Sequence, residues 1–245
     1  MPDARVREIS RGATIPIRIN GANRTFTLLP DTIRRAAIAE IGRRPYGVPG
    51  PKDRLTLLVT GGSQGARVFN ELVPTAVCQL PDALKRRLTV IQQVRGTDLS
   101  EVEATYRACG VEAVLKPFFE DLPQRLAQAT LVLCRAGAST VTELAAAGRP
   151  ALLVPYPFAA DDHQRANADA FAAAGGGWVL PQASLDATLL TAELKRLFEA
   201  PPTLVRAAGA ARGFAEDGAA ARLADLVEGR MPETARPQGR KEAAA

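Results

Sequence analysis

The chain has 245 residues, 47% of them hydrophobic and 23% charged, enough apolar material for one large domain and too much for a disordered protein. No apolar run approaches the roughly 18 residues that span a bilayer, and Met1-Pro-Asp-Ala-Arg-Val-Arg-Glu leads into no apolar signal segment. A cytosolic chain is expected, or one that touches a membrane only from that side. The net charge of +5 suits an anionic ligand or lipid surface, while 5% aromatics without an interleaved basic block argue against a nucleic-acid partner.

Residues 1–50 do not read as the start of a compact domain. Residues 15–19 alternate apolar and polar, Asn20-Gly21 is a hairpin-type turn, and residues 25–29 form a return strand. Asp31 reads as the N-cap of a helix over about 32–41, and Pro45, Gly47, Pro49, Gly50 and Pro51 read as a linker.

After residue 51 the rhythm becomes regular. Strands are predicted at 55–59, about 88–92, 111–115, 131–134, 151–154 and 178–180, with helices of ten to fifteen residues between most of them. Further helices fill about 184–229, and residues 230–245, without periodicity, read as a disordered tail. The expected fold class is α/β, a doubly wound parallel sheet of Rossmann-like type. Cys78, Cys109 and Cys134 are an odd number, far apart and without a Cys-x-x-Cys pair, so reduced packing thiols are expected rather than disulfides or zinc. A single histidine, His163, excludes a histidine-rich metal site.

Ligands of open α/β sheets bind beyond the carboxyl ends of the strands, and four loops of unusual composition leave that edge: 60–66, 116–122, 135–143 and 155–164. In the first, Gly61, Gly62 and Gly65 permit close backbone approach, and Ser63 and Gln64 sit where free helix N–H groups point at an anion. The bland alternative is a tight turn with no ligand. In the third, Thr140-x-x-Glu143 is either a ligand-free capping box or part of a second helix start facing the same cleft, so that two termini hold a diphosphate and Glu143 accepts sugar hydroxyls. Phe118-Phe119 is either core or an apolar ledge whose backbone reads a nucleobase. Gln164 and Asn167 share a helical face and either grip sugar hydroxyls or form a solvated first turn. Asp161, Asp162 and His163 make a metal site conceivable, yet adjacent residues at a helix start point in different directions and further ligands are lacking, so no metal is expected.

Three stretches carry a family resemblance: Gly61-Gly-Ser-Gln-Gly-Ala-Arg67, Cys134-Arg-Ala-Gly-Ala-Ser-Thr-Val-Thr-Glu143 and Asp162-His-Gln-Arg-Ala-Asn-Ala168. They resemble the bacterial undecaprenyl-diphospho-muramoylpentapeptide N-acetylglucosaminyltransferases, which make lipid II from lipid I in peptidoglycan synthesis. The resemblance runs from about Thr32 to Val227 and covers the C-terminal, donor-binding half of a GT-B glycosyltransferase. It implies that residues 1–50 are an N-terminal remnant and linker, 51–229 the UDP-sugar-binding domain, and 230–245 a tail. By position it implies that Ser63 binds the diphosphate of UDP-N-acetylglucosamine and that Phe119 presents its backbone to uracil. Ala138, Ser139, Thr140, Val141, Thr142 and Glu143 then cradle diphosphate and ribose, and Gln164 holds the sugar. Arg34 of Pro30-Asp-Thr-Ile-Arg34 stands where the family has a donor-contacting arginine after Gly-Asn-Pro-Val, a motif this chain does not keep.

The family's first domain, with its acceptor site, has no counterpart in this sequence, so a truncated or split form is expected. A split arrangement is known for a related eukaryotic dolichol-linked enzyme. The resemblance implies an inverting hexosyltransferase with no cofactor and no metal, and a catalytic residue in the missing half. Its partners would be UDP-N-acetylglucosamine, lipid I at the cytoplasmic face of the inner membrane, and a separate chain supplying the acceptor domain. The alternatives are a non-catalytic UDP-sugar-binding module and, from another class, a dinucleotide-dependent enzyme. Against the latter, Gly61-x-x-x-Gly65 is not Gly-x-Gly-x-x-Gly, and no acidic residue closes a second strand where one is required.

Overall fold

Three short strands so apolar that neither face can meet water must lie inside a sheet covered on both sides. The computed structural model describes residues 14–19, 22–27, 46–47, 49–62, 67–96 and 99–215, the first two ranges by their backbone. Strands β1 (Thr14–Ile19) and β2 (Ala22–Thr27) pair antiparallel, with Ile19 opposite Ala22, as a two-residue hairpin requires. The predicted helix over 32–41, Arg34 within it, and the tail 230–245 lie outside the described residues. The chain divides into two units, Met1–Phe214 and Ala215–Ala245, and the strands and helices of the described residues all belong to the first.

The main sheet begins with β3 (Leu55–Thr60), followed by helix α1 (Arg67–Cys78), a short helix α2 (Asp82–Lys85) and β4 (Leu88–Gln93). Helix α3 (Leu99–Ala108) leads to β5 (Glu112–Lys116), and α4 (Leu122–Gln128) to β6 (Leu131–Cys134). Then come α5 (Ala138–Ala147), β7 (Ala151–Leu153), α6 (His163–Ala173), β8 (Gly177–Val179), α7 (Ala187–Phe198) and α8 (Pro201–Phe214). The six strands are parallel in the order β5-β4-β3-β6-β7-β8. Numbered from β3 this is 3-2-1-4-5-6, the dinucleotide-fold order whose direction reverses between the first and fourth strands. Burial follows position: β6 and β7 are wholly buried, whereas β5, at one side of the sheet, is exposed at both ends.

Right-handed crossovers send α1 and α3 to one face and α5 and α6 to the other. Helix α7 packs on α1, where Thr191 Oγ1 donates to the Ala76 carbonyl at 2.9 Å, and Leu190, Leu194 and Leu197 join Leu55, Val59 and Val73 in the core. The crossover geometry also corrects the expectation for the cysteines. Helices α1 and α3, on successive crossovers, lie side by side with their carboxyl ends level, so Cys78 and Cys109, 31 positions apart, come to a Cα–Cα distance of 5.4 Å and form a disulfide. Cys134 is a free, buried thiol. The proline-rich stretch read as a linker is in part held against the sheet. Arg87 donates to the carbonyls of Gly50 and Asp53 at 2.6 and 2.8 Å, and the Tyr46 hydroxyl to that of Thr130 at 2.7 Å.

Two glycines make opposite predictions. A Cβ on Gly177 would lie 2.3 Å from the Ala151 carbonyl oxygen, inside the β7–β8 ladder, whereas one on Gly209, exposed on α8, meets nothing within 4 Å. Gly177→Ala is expected to destabilise by about 1–3 kcal/mol and Gly209→Ala to stabilise by about 0.5–1 kcal/mol. The two urea midpoints should move in opposite directions.

Candidate functional site

The strand order reverses between β3 and β6, and there the loops leaving neighbouring strands part to opposite faces and open a crevice. Thr60 pairs with Cys134 in that ladder, so the turn beginning at Gly61 and the loop beginning at Arg135 leave the sheet side by side and at one level. Gly62 has φ +74°, a left-handed conformation that a side chain would resist. Ser63, with residues 64–66, lies outside the described residues; Arg67 opens α1 just beyond.

On the other side of the crevice Gly137 is the N-cap of α5, no side chain caps the helix, and the Val141 N–H is bonded back to the Gly137 carbonyl at 3.0 Å. This start carries the N–H groups of Ala138, Ser139 and Thr140, which an α-helix leaves without intrahelical partners. Of the two readings left open for Thr140-x-x-Glu143, the capping box is not formed. Thr140 lies in the first turn rather than at the N-cap, because the helix begins two residues earlier, on Ala138. Ala138 and Ser139 are exposed, Thr140 is half-buried, and the Thr142 hydroxyl turns back onto the Ala138 carbonyl at 2.9 Å. Val141 and Glu143 point inward. The Glu143 carboxylate and, above all, complete burial push the Cys134 thiol well above its ordinary range.

Between the two helix starts lies a residue that the spacing of motifs did not single out. Arg135 is only 8% exposed. Its guanidinium donates to the carbonyls of Val154 and Pro155 at 3.1 and 3.2 Å and stacks on the rings of Phe69 and Tyr156, 5.1 and 5.4 Å from their centroids. Burial lowers its pKa, yet no carboxylate pairs with it among the described residues. A fixed positive charge thus sits under the crevice and ties helix α1 to the loops after β6 and β7. The one sequence signal for it is a cation immediately after four wholly apolar residues.

Gln164 and Asn167 do share a face of α6, but their partners within the chain are backbone groups. Gln164 Oε1 accepts the N–H of Ala136 at 3.2 Å and of Tyr156 at 3.0 Å, and Asn167 Nδ2 donates to the Ala136 carbonyl at 3.0 Å. The two amides clamp adjacent loops together through Gln164 Oε1 and Asn167 Nδ2, and the Gln164 amide nitrogen takes no part in the clamp. Before them, Asp161 and Asp162 both adopt φ of 50° and are exposed, and His163 Nδ1 meets the Ala160 carbonyl at 2.7 Å.

In the loop after β5, Phe119 is buried beneath the Arg125 guanidinium, 5.7 Å from its ring, while Phe118 stands 53% exposed. Tyr156 and Phe158, in edge contact at 5.7 Å, are also exposed. A separate cavity of about 770 Å³ runs along β8, lined by Trp178, Glu193, Arg196 and Arg206 and by none of the residues at the β3–β6 crevice. Its arginines are occupied by Glu193 and Thr203.

Residues 56–223 match the glycosyltransferase family 28 C-terminal domain. The chain belongs to that family. It is 53% identical over 195 residues to a UDP-N-acetylglucosamine–N-acetylmuramyl-(pentapeptide) pyrophosphoryl-undecaprenol N-acetylglucosamine transferase of Rhodospirillum centenum, covering 80% of this chain and 52% of that protein. To the protein of the same description in Rhodospirillum rubrum it is 52% identical over 203 residues, 81% of this chain and 52% of the relative. Among solved structures, the crystal structure of Acinetobacter baumannii MurG superposes with a TM-score of 0.64 at 31% identity, over 78% of this chain and 53% of that one. The fold is that of the C-terminal domain of a GT-B glycosyltransferase, and the chain spans about half the length of the curated relatives it matches.

Two outcomes follow from this family domain's loop supports. Gln164→Leu leaves the Ala136 and Tyr156 N–H groups without their acceptor, so hydrogen exchange at both should quicken about tenfold, while Gln164→Glu keeps the acceptor and the protection. The Cys134 thiol ionises less readily in the fold than in the unfolded chain, where thiols titrate near pH 8.5. As pH rises the unfolded chain loses its proton first, so stability is full below about pH 8.5 and declines above it. Cys134→Ala should flatten that decline in urea titrations between about pH 8 and 9.5.

Proposed function

We propose that this chain supplies the donor-binding half of a transferase that moves N-acetylglucosamine from UDP-N-acetylglucosamine to lipid I, giving lipid II in peptidoglycan synthesis. Residues 51–229 are the UDP-sugar-binding domain. The observation that carries the assignment is the crevice between β3 and β6, where a glycine turn, an uncapped helix start and a buried cation converge, in a chain about half identical to curated transferases of that description.

In this assignment the diphosphate lies across the crevice. Ser63 and the N–H groups at Ala138, Ser139 and Thr140 bind its oxygens, within the segment from Ala138 through Val141 and Thr142 to Glu143 that cradles diphosphate and ribose. Glu143 takes the ribose, the backbone at Phe119 takes uracil, Gln164 holds the sugar through its amide nitrogen, and Arg34 adds a contact to the donor. As the acceptor hydroxyl attacks the anomeric carbon with inversion, UDP leaves and its phosphates gather negative charge. Helix starts and the Arg135 charge stabilise that charge without reorganising. The base for the acceptor hydroxyl comes from the part of the relatives' length that this chain does not span, and a separate chain bearing that part is the arrangement to look for. In this assignment the chain acts peripherally at the cytoplasmic face of the inner membrane; among the described residues no helix is long and apolar enough to cross one.

UDP and UDP-N-acetylglucosamine should raise the melting temperature of the full chain and NAD should not; no shift with UDP overturns the donor assignment. Arg135→Met should weaken UDP binding about tenfold in calorimetry, about 1.4 kcal/mol. Transfer to lipid I should need an added acceptor-binding domain, and full turnover by the chain alone would show that the acceptor side lies within it.

A further inference from the structure

A relay of three hydrogen bonds crosses the carboxyl edge of the sheet beneath the crevice. Its centre is Gln93, the last residue of β4, whose side chain is 8% exposed. Its Oε1 accepts the hydroxyl proton of Thr60 at 3.1 Å, and its Nε2 donates to the Pro117 carbonyl at 3.2 Å. The Thr60 oxygen, its proton given to Gln93, accepts the N–H of Gly62 at 3.3 Å. The polarity of the chain is fixed at one end by the Pro117 carbonyl, which can only accept, and at the other by the Gly62 N–H, which can only donate. The carboxamide therefore has one orientation and the hydroxyl one direction.

We propose that Gln93 is a positioning residue for donor binding, setting the glycine turn and the loop after β5 at a fixed separation. The inference rests on the donor assignment above and adds a residue with no place in the sugar, diphosphate or base contacts. Gly62 immediately precedes Ser63, assigned to the diphosphate. Pro117 stands two residues before Phe119, whose backbone is assigned to uracil. The relay thus joins the two loops that hold opposite ends of one nucleotide, and it does so from a strand between them: β4 pairs with β3 on one side and β5 on the other. Glutamine is suited to the position because one planar group must accept on one side and donate on the other. Glutamate keeps the acceptor for Thr60 but sets an oxygen against the Pro117 carbonyl. Methionine keeps the length and loses both bonds.

The test is calorimetric binding of UDP and of CDP by the full chain, wild type against Gln93→Met, Gln93→Glu, Thr60→Val and the Thr60→Val/Gln93→Met pair, each well below its melting temperature. Gln93→Met should weaken UDP about tenfold and lower the UDP-to-CDP preference by a similar factor, because backbone groups that read the base edge are no longer held in register. Thr60→Val should do part of the same. The pair should cost little more than Gln93→Met alone, as members of one relay do. If the variants only melt earlier, with UDP affinity and base preference within about twofold of wild type, Gln93 is structural and the proposal fails. If the two substitutions add independently, there is no relay and it fails likewise. Should the wild-type chain not bind UDP, the donor assignment itself is overturned, an outcome distinct from either.

Discussion

The pairing of β3 with β6 is the constraint from which the site follows. Two strands far apart in the chain lie edge to edge, with Thr60 beside Cys134, because both are too apolar to sit anywhere but the middle of a covered sheet. Their connections run in opposite directions, so the turn after one and the loop after the other cannot close over each other. A cleft at that point is a consequence of topology before any ligand is considered. Two helix starts at its rim make it electropositive with no residue devoted to the purpose.

Topology opens the cleft but does not fix its shape; that falls to side chains on neighbouring elements. Arg135 holds the loop after β7 by its carbonyls, and Gln164 and Asn167 reach from α6 to the loop after β6. Gln92, fully buried, donates to the Phe69 carbonyl at 3.0 Å and accepts from the Tyr106 hydroxyl at 2.6 Å, steadying α1 from beneath. Gln164 holds the loops after β6 and β7 together, accepting the N–H groups of Ala136 and Tyr156, so loosening that one support frees both loops.

The strands and most helices were legible in the sequence because the signals that mark them are local: runs such as Leu55-Thr-Leu-Leu-Val and Leu131-Val-Leu-Cys, and the glycine that ends α5, Gly148, at φ 58°. The four-residue helix α2 was not, being too short for any period. The family motifs were legible too, and the domain match bears out the recognition they prompted. What failed was whatever depends on a distant partner. Cys78 and Cys109 meet only because two crossovers bring their helices level. Gln93 and Arg135 bond to carbonyls 24 and 19 positions away, and no pattern in a single chain announces a carbonyl.

Nearly all of the groups that brace the cleft are amides and hydroxyls: Thr60, Gln92, Gln93, Gln164, Asn167. None gains or loses a proton in water near neutrality, and none is a charge that dissolved ions can shield. The exception, Arg135, stays protonated at any physiological pH. Apart from Arg135, which serves both, shape and attraction are therefore kept on separate footings. Salt can weaken the pull on a passing polyanion while the walls that receive it hold their form, and acidity within the range of a living cell can alter the guest's charge without altering the seat.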